Sequence, residues 1–451
     1  MKLLPGIKSI WFWLIFILVI GGASGAGYLW WQQSEVDYPK EIREHAEALH
    51  ERIISLDGHI SIPMDFNIKG TEANKDSPYQ FDLVKAASGR LSGAVLAMHS
   101  WPALENGPNA PHHPTPGFIA ETRHQLETRY KIVTNIVRDY PNQVGIAYSP
   151  EDLRRLYDEN KFAIVLGLTN AYPFGNDISE IDRWVARGVR VFGFSFVGNN
   201  DWADSSRPLG FFNDIPDALD GLSETGKQAV MRLNDLGVII DVSQMTYKGI
   251  KDVTKLTRAP IIASHSSVRG LFDTAPNLSD KELLMIKNTG GVLHISSNSR
   301  HLRPLHEKTV AKINALRKKY NLAPFKNPLQ ALAPASEPAT AIWPEEKFGK
   351  YMNAQYEILG HEPENSIDEF VDAIDYAVAK IGIDHVGIGS DFNDGGGLIG
   401  WRDVSDTRNI TMELIERGYS DTDIEKLWGG NFLRIWKQVQ AQALPATSQS
   451  E

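Results

Sequence analysis

The sequence predicts an α/β protein built as a TIM-like (β/α)8 barrel, on two observations. Eight short runs rich in β-branched residues recur along the chain, and a segment with helical periodicity separates each run from the next. Nearly every run ends in polar residues, as barrel strands do where a site is built at their carboxyl ends. Because strands that alternate with helices pair in parallel, we expect the eight runs to close into one barrel.

The predicted strands, in order, cover residues 53–57, 93–98, 162–168, 189–194, 238–242, 260–263, 292–295 and 386–389. Between them, pairs of capping residues mark the start of helices: Asp177 with Glu180, and Ser279 with Glu282. Over residues 367–381 the apolar side chains recur at steps of four and three, which predicts one amphipathic helix. We expect the barrel domain to span residues 40–440.

Three segments depart from this alternation. Residues 105–117 are rich in Pro, Asn and Gly, which predicts a loop over the barrel mouth, the end of the barrel where the strands finish. Residues 300–365 form a long insertion between the seventh and eighth strands, with a basic helix near 307–320. Insertions at a barrel mouth often serve as lids or as surfaces for partner proteins. The small, polar tail at 441–451 is predicted to be disordered.

The N-terminal segment, residues 1–34, predicts where the protein is located. Lys2 and Lys8 precede an uncharged, apolar run over residues 9–33, with two tryptophans near each end. At about 1.5 Å per residue the centre of such a run spans a bilayer core, and tryptophans favour the two interfaces. We expect a signal anchor that keeps the N-terminus inside and leaves the rest of the chain on the outer side of the membrane. A cleaved signal peptide is the alternative, because Ser-Gly-Ala at 24–26 resembles a cleavage site.

The composition excludes several classes of protein. The net charge is −10 and the pI is near 5.8, which argues against a nucleic-acid partner, because such proteins carry basic surfaces. Cysteine is absent, so disulfides, thiolate metal ligands and thiol nucleophiles are all excluded.

Residues 56–63 carry the first candidate site. Here Asp57-Gly58-His59 follows a β-prone run, and Ser61 stands two residues after His59. Side chains two residues apart lie on the same face of a strand, so a histidine and a carboxylate at this spacing offer two metal ligands. Serine is a poor metal ligand, so the second position of this pair is missing.

Five further motifs accompany Asp-Gly-His at 57–59. They are Gly-Leu-Ser-Glu-Thr-Gly (221–226), Asn-Asp-Leu-Gly-Val-Ile-Ile-Asp-Val-Ser (234–243), Ala-Ser-His-Ser (263–266), Gly-Ile-Gly-Ser-Asp-Phe (387–392) and Gly-Gly-Asn-Phe-Leu-Arg (429–434). With these motifs the chain resembles the membrane (renal) dipeptidase family over about residues 56–436. The resemblance implies a metallo-dependent hydrolase barrel that cleaves dipeptides with two zinc ions.

Most of the zinc ligands that the resemblance implies are substituted in this chain. Two histidine ligands fall on His59 and His265. An aspartate, a bridging glutamate and a third histidine fall on Ser61, Thr169 and Gln244. The retained histidines serve different metals in the family, and a catalytic zinc needs about three protein ligands. We therefore predict a degenerate two-zinc site that holds one metal or none; a single site formed by His59, His265 and Asp391 is the alternative.

The resemblance also implies roles at the substrate side of the barrel mouth. Asp391, after the last strand, is the candidate general base. A substrate-contacting histidine of the family is matched here by Phe196, and a carboxylate-binding arginine by Pro276. The predicted substrate pocket comprises Phe196, Asn199, Trp202, Trp101 and His294. A phenyl ring in place of an imidazole favours a bulky or aromatic ligand over two ions and a small peptide.

These substitutions predict a dipeptidase-like protein that binds or processes a peptide-like metabolite in the periplasm. Within the family, the chain is most similar to the dipeptidase-like proteins of siderophore (pyoverdine) maturation, which implies a peptide that carries an aromatic chromophore. Two alternatives stay open. One is an active metallodipeptidase, a peptide hydrolase that uses Asp391 as its base. The other is a non-catalytic scaffold whose insertion recruits periplasmic partner enzymes.

Overall fold

The barrel is built from parallel strands. The computed structural model describes residues 37–100, 116–208, 214–324, 345–359 and 364–445. The strands β1–β9 in these ranges are Leu56–Ser61, Gly93–His99, Val144–Ile146, Phe162–Thr169, Val189–Gly193, Ile239–Asp241, Ile261–Ser266, Val292–Ser296 and Val386–Gly389. Eight of them pair side by side in the order β1-β2-β4-β5-β6-β7-β8-β9, and the short β3 pairs with the start of β4.

The barrel is nearly closed, because the last strand returns to the first. Asp391 N–H donates to the carbonyl of His59 (3.0 Å), and Ser61 N–H donates to the carbonyl of Phe392 (3.0 Å). These bonds join the chain after β9 to the end of β1. The predicted (β/α)8 architecture is therefore confirmed.

The first strand lies later in the chain than the sequence predicted. The predicted run ends at Asp57, whereas β1 continues through His59 to Ser61. The strand continues because the buried Asp57 carboxylate accepts the backbone N–H groups of His59 and Ser390, both at 2.9 Å. His59 and Ser61 therefore lie within a strand and not after it. The strand β3 was not predicted, since three residues are too few to show a periodicity.

The helices surround the barrel. In order, α1–α15 are Lys40–His50, Leu83–Gly89, Pro116–Asp139, Pro150–Asp158, Glu180–Ala186, Glu224–Asp235, Tyr247–Leu256, Asp280–Asn288, Ser299–Leu302, Glu307–Lys319, Glu345–Leu359, Ile367–Ile381, Thr407–Glu416, Asp421–Glu425 and Asn431–Ala441. The predicted cap of α8 is confirmed, since Ser279 donates to Glu282 from both its N–H and its hydroxyl. Asp177 does not cap a helix, because it accepts hydrogen bonds from Ser179, and α5 begins only at Glu180.

The apolar core separates the barrel mouth from the opposite end. Each strand from β4 to β8 contributes inward-facing apolar side chains, and Phe432, Ile435 and Trp436 of α15 pack against them. A second core lies between the strands and the surrounding helices. The inserted helices α10 and α11 pack on each other through Ile313 and Ile358. Polar side chains in the interior are therefore concentrated at the mouth.

No helix among the described ranges is long and apolar enough to cross a membrane. The predicted anchor at 1–34 lies outside the described residues, as do residues 105–115 of the predicted loop and 446–451 of the tail.

His50 connects several segments on the outside of the barrel. Its Nε2 lies 2.7 Å from the Thr411 hydroxyl, its Nδ1 lies 3.3 Å from the Arg90 carbonyl, and its ring packs edge-on against Trp428. Burial lowers the pKa of His50 to about 4. The unfolded chain takes up this proton near pH 6.5, so the folded state loses stability as the pH falls from 6.5 towards 4.

We predict that His50→Gln makes the protein less sensitive to acid. In the wild type the free energy of unfolding falls between pH 7 and pH 5. We expect this fall to be about 1–2 kcal/mol smaller in the variant. Urea unfolding at the two pH values measures this difference. His124→Gln, at an exposed position, is the control and should show the same fall in unfolding free energy as the wild type. If the His50 variant also shows the wild-type fall, the prediction is contradicted.

Candidate functional site at the barrel mouth

The barrel mouth gathers the residues that the sequence singled out. Ser61 ends β1, Thr169 ends β4, His265 lies in β7 and Asp391 follows β9. All four side chains are buried. A parallel barrel brings the carboxyl ends of its strands to one end, so these residues face a common space.

His59 and His265 meet across the mouth, with ring centroids 4.0 Å apart. The third member of their group is Asp241, the last residue of β6; ligand atoms of the three residues all lie within 4.8 Å of one another. The alternative single site offered by the sequence has Asp391 in this place; the structure has Asp241 there instead. Asp241 was missed because it stands inside an apolar run, although it belongs to the motif at 234–243.

The hydroxyl of Ser264 occupies the centre of this group. It lies 2.5 Å from Asp241 Oδ2, 2.8 Å from His265 Nδ1 and 3.1 Å from His59 Nδ1. Its one proton goes to the carboxylate, so its lone pairs accept the Nδ1–H groups of both imidazoles. This arrangement places the proton of each ring on Nδ1. Each Nε2 then carries a lone pair that points away from Ser264.

Asp241 is held from both sides. Its Oδ1 accepts the backbone N–H groups of Ser243 (2.9 Å) and Ser264 (3.0 Å), and its Oδ2 accepts the Ser264 hydroxyl. Burial lowers the pKa of His59 and of His265 well below the usual range, and the neighbouring His265 adds to the effect on His59. The group therefore consists of one fixed carboxylate and two neutral imidazoles.

Asp391 lies at the mouth just after β9, where its N–H bonds to the end of β1. Its Oδ2 accepts Asn298 Nδ2–H (2.9 Å), and its buried Oδ1 has no hydrogen-bond partner among the described residues. Burial raises the pKa of Asp391 well above its usual value, and the neighbouring Asp394 raises it further. Its backbone has φ +59°, and Gln244 after β6 has φ +66°. Residues with a Cβ rarely adopt this region, and such positions are common at functional sites.

His294, predicted to line the pocket, lies inside the barrel. A Cβ on Gly58 would come within 2.7 Å of its ring, and one on Gly387 within 2.5 Å. The imidazole therefore requires glycine on both β1 and β9. Burial lowers the pKa of His294 to about 4, so the ring is neutral.

The predicted aromatic pocket is only partly assembled. Phe196 is buried after β5, with its ring centroid 5.5 Å from that of His99. Trp202 instead packs in the outer core, against Phe174, Phe192 and Phe194. Asn199 uses its amide within its own loop, donating to the Ile215 carbonyl and accepting Ser205 N–H. Trp202 and Asn199 are therefore structural, which corrects the prediction that they line the substrate pocket. Trp101 lies outside the described residues.

We predict that Ser264→Ala destabilises the protein by about 1–3 kcal/mol, because it leaves a buried carboxylate oxygen and two imidazole N–H groups unpaired. Ser267→Ala is the matched control, since the Ser267 hydroxyl is buried but has no hydrogen-bond partner among the described residues. Its cost should stay below about 0.5 kcal/mol. Equal unfolding midpoints in urea for the two variants would show that the hydroxyl does not hold the group together.

Residues 43–450 match the family described as membrane dipeptidase, peptidase family M19. Dipeptidase tcpJ of Claviceps purpurea is 24% identical over 373 residues, which cover 82% of this chain and 71% of that protein.

Among the solved structures, the probable dipeptidase PvdM from Pseudomonas aeruginosa is 60% identical with a TM-score of 0.87; the match covers 90% of this chain and all of that one. A metallo peptidase from Rhodobacter sphaeroides, bound to a phosphinate mimic of L-Ala-D-Ala, is 18% identical with a TM-score of 0.64. That match covers 86% of this chain and 99% of the other, and it shows the shared fold.

The family model spans most of the chain, and the group of His59, Asp241 and His265 lies where a barrel of this kind builds its site. A dipeptidase family implies a peptide-like substrate, and its metallopeptidase members imply the use of a metal. The chain belongs to the membrane dipeptidase family, peptidase family M19.

Proposed function

We propose that this protein binds or processes a peptide-like metabolite in the periplasm, and that it does so without a two-zinc centre. The observation that carries the proposal is the position of the Ser264 hydroxyl. It engages Asp241 Oδ2 and the Nδ1 atoms of both imidazoles, so these three atoms surround a hydroxyl and the two histidines offer an ion only their Nε2 atoms.

The residues at the mouth do not fit a pair of dications. Zinc at a catalytic centre needs about three protein ligands, and paired metals need carboxylates to offset their charge. At the remaining ligand positions implied by the family resemblance the chain has neutral, buried side chains: Ser61, Thr169 and Gln244. Asp241 already accepts three hydrogen bonds. Only the two imidazole Nε2 atoms of the group are therefore left to coordinate an ion.

The mouth offers polar groups that suit an organic ligand. Four buried atoms there have no hydrogen-bond partner in the described part of the chain: Ser61 Oγ, Gln244 Oε1, His265 Nε2 and Asp391 Oδ1. Leaving such a group unpaired costs about 1–3 kcal/mol, so buried polar atoms are nearly always satisfied. A peptide-like molecule carries N–H and C=O groups that can pair with them. This chemistry supports a ligand of the class that the family implies.

The proposal extends to siderophore maturation. The sequence resembles the dipeptidase-like proteins of pyoverdine maturation, and the 60% identity to PvdM agrees with that resemblance. Pyoverdine precursors are peptides, which matches the ligand class inferred from the mouth. The predicted anchor at residues 1–34 would hold the barrel on the periplasmic side of the inner membrane.

We predict that the purified full-length protein contains well under one zinc per chain and does not hydrolyse L-Ala-D-Ala above background. The reconstructed variant Ser61→Asp, Thr169→Glu, Gln244→His restores the missing donors and is expected to gain at least one zinc per chain. Elemental analysis after dialysis against zinc measures both proteins under identical conditions. Two tightly held zinc ions and brisk dipeptide hydrolysis in the wild type contradict the proposal.

The same measurements separate the alternatives. Near-stoichiometric zinc, with hydrolysis abolished by Asp391→Asn, supports a metallodipeptidase. A scaffold is supported if deletion of residues 300–365 eliminates function in the cell while His59→Ala and His265→Ala preserve it.

We predict that the full chain restores pyoverdine formation in a producing bacterium that lacks its own dipeptidase-like maturation protein. It should fractionate with the inner membrane, and replacement of residues 1–34 by a cleavable signal peptide should release it into the soluble periplasmic fraction. Recovery of the unaltered chain as a shortened, soluble protein would show a cleaved signal peptide instead. A correctly located protein that restores no pyoverdine contradicts the siderophore role.

A further inference from the structure

Arg207 projects over an aromatic ring at the barrel mouth. Its guanidinium carbon lies 5.2 Å from the centroid of the Phe196 ring, which in turn lies 5.5 Å from the His99 ring. A cation above an aromatic face is attracted to it, more strongly where water is excluded. Phe196 therefore forms a platform that positions the guanidinium.

The guanidinium of Arg207 has unused hydrogen-bond donors. Its Nε is buried without a hydrogen-bond partner among the described residues, and no described carboxylate forms an ion pair with it within 4.0 Å. By contrast, Arg129 donates to the Ile62 carbonyl (2.8 Å) and to His99 (3.2 Å). Arg207 is half-buried, and its guanidinium carries five N–H donors in a planar fork. Leaving the buried Nε–H without an acceptor is costly.

The surroundings of Arg207 favour a negatively charged ligand. The nearby carboxyl groups are those of Asp391 and Asp394, and burial raises the pKa of both. The pKa of Asp394 reaches about 6 although Arg207, Arg300 and Arg129 all act to lower it. Three guanidinium groups thus act on Asp394, and burial disfavours the ionised forms of both nearby carboxyl groups, so the electrostatics of the mouth favour an anionic ligand.

We propose that Arg207 binds a carboxylate of the ligand and thereby selects peptide-like molecules with a free acid group. This inference rests on the proposed function, because it assumes a peptide-like ligand. The planar fork of arginine matches a carboxylate with two parallel hydrogen bonds. The unpaired Nε2 of His265, whose imidazole also feels the charge of Arg207, accepts an N–H or O–H group of the same molecule. The ligand is thus oriented with its acid towards Arg207 and a donor towards the imidazoles.

The test compares L-Ala-D-Ala with its C-terminal amide, which differ only in the carboxylate. Isothermal titration of the full-length protein is expected to show that the acid binds about tenfold more tightly than the amide. Arg207→Gln should weaken binding of the acid about tenfold and change binding of the amide less than about twofold. Arg207→Lys keeps the charge but loses the fork, so it should retain only part of the preference.

Two further variants make the result specific. Arg300→Gln removes the same charge from an exposed neighbour. It should weaken binding of the acid less than about threefold, and added salt should suppress this weakening. Phe196→Leu removes the platform and should weaken binding of the acid but not of the amide. If Arg207→Gln does not fold, as judged by its thermal midpoint, the Phe196 and Lys variants decide the question.

The possible failures are distinguishable. If the wild type binds acid and amide equally, or if the Arg207 variants weaken both probes alike, the inference is overturned while peptide binding stands. If the wild type binds neither probe at millimolar concentration, both the inference and the proposed function are overturned.

Discussion

The hydrogen bond from Ser264 to Asp241 organises the barrel mouth. Two backbone N–H groups fix the carboxylate, so the hydroxyl proton has a single acceptor and the hydroxyl oxygen becomes an acceptor itself. Both imidazoles donate to that oxygen and present their Nε2 atoms in the opposite direction. In a buried site of low dielectric such a network is strong, and it fixes the orientation of both imidazoles.

This network depends on the packing beneath it. The strands are apolar at the end closed by α15, and the polar layer begins only above them. Gly58 and Gly387 leave room for His294 in the layer between. Because packing is this close, a methyl group at either glycine would displace the imidazole. The layer beneath the mouth therefore depends on glycines that carry no chemistry of their own.

Burial determines the electrostatics of the mouth. It keeps His59 and His265 neutral and disfavours the ionised forms of Asp391 and Asp394, while Arg207 remains charged above Phe196. A dipeptidase with paired metals concentrates carboxylates around positive ions. Here the fixed positive charge is a guanidinium, which binds an anionic group of an organic molecule through hydrogen bonds and not through metal coordination.

The sequence by itself determined the alternation of strands and helices and the strands that carry or precede His59, His265 and Asp391, because periodicity and turn residues are local signals. It also placed the chain in its family through short motifs. Only the tertiary structure decided that Asp241 and not Asp391 joins the two histidines, because that choice depends on how the paired strands β6 and β7 are placed relative to β1. It likewise decided that Trp202 packs outside the barrel and that Arg207 lies over Phe196. Both residues follow β5 in a loop, where no periodicity shows which way a side chain points.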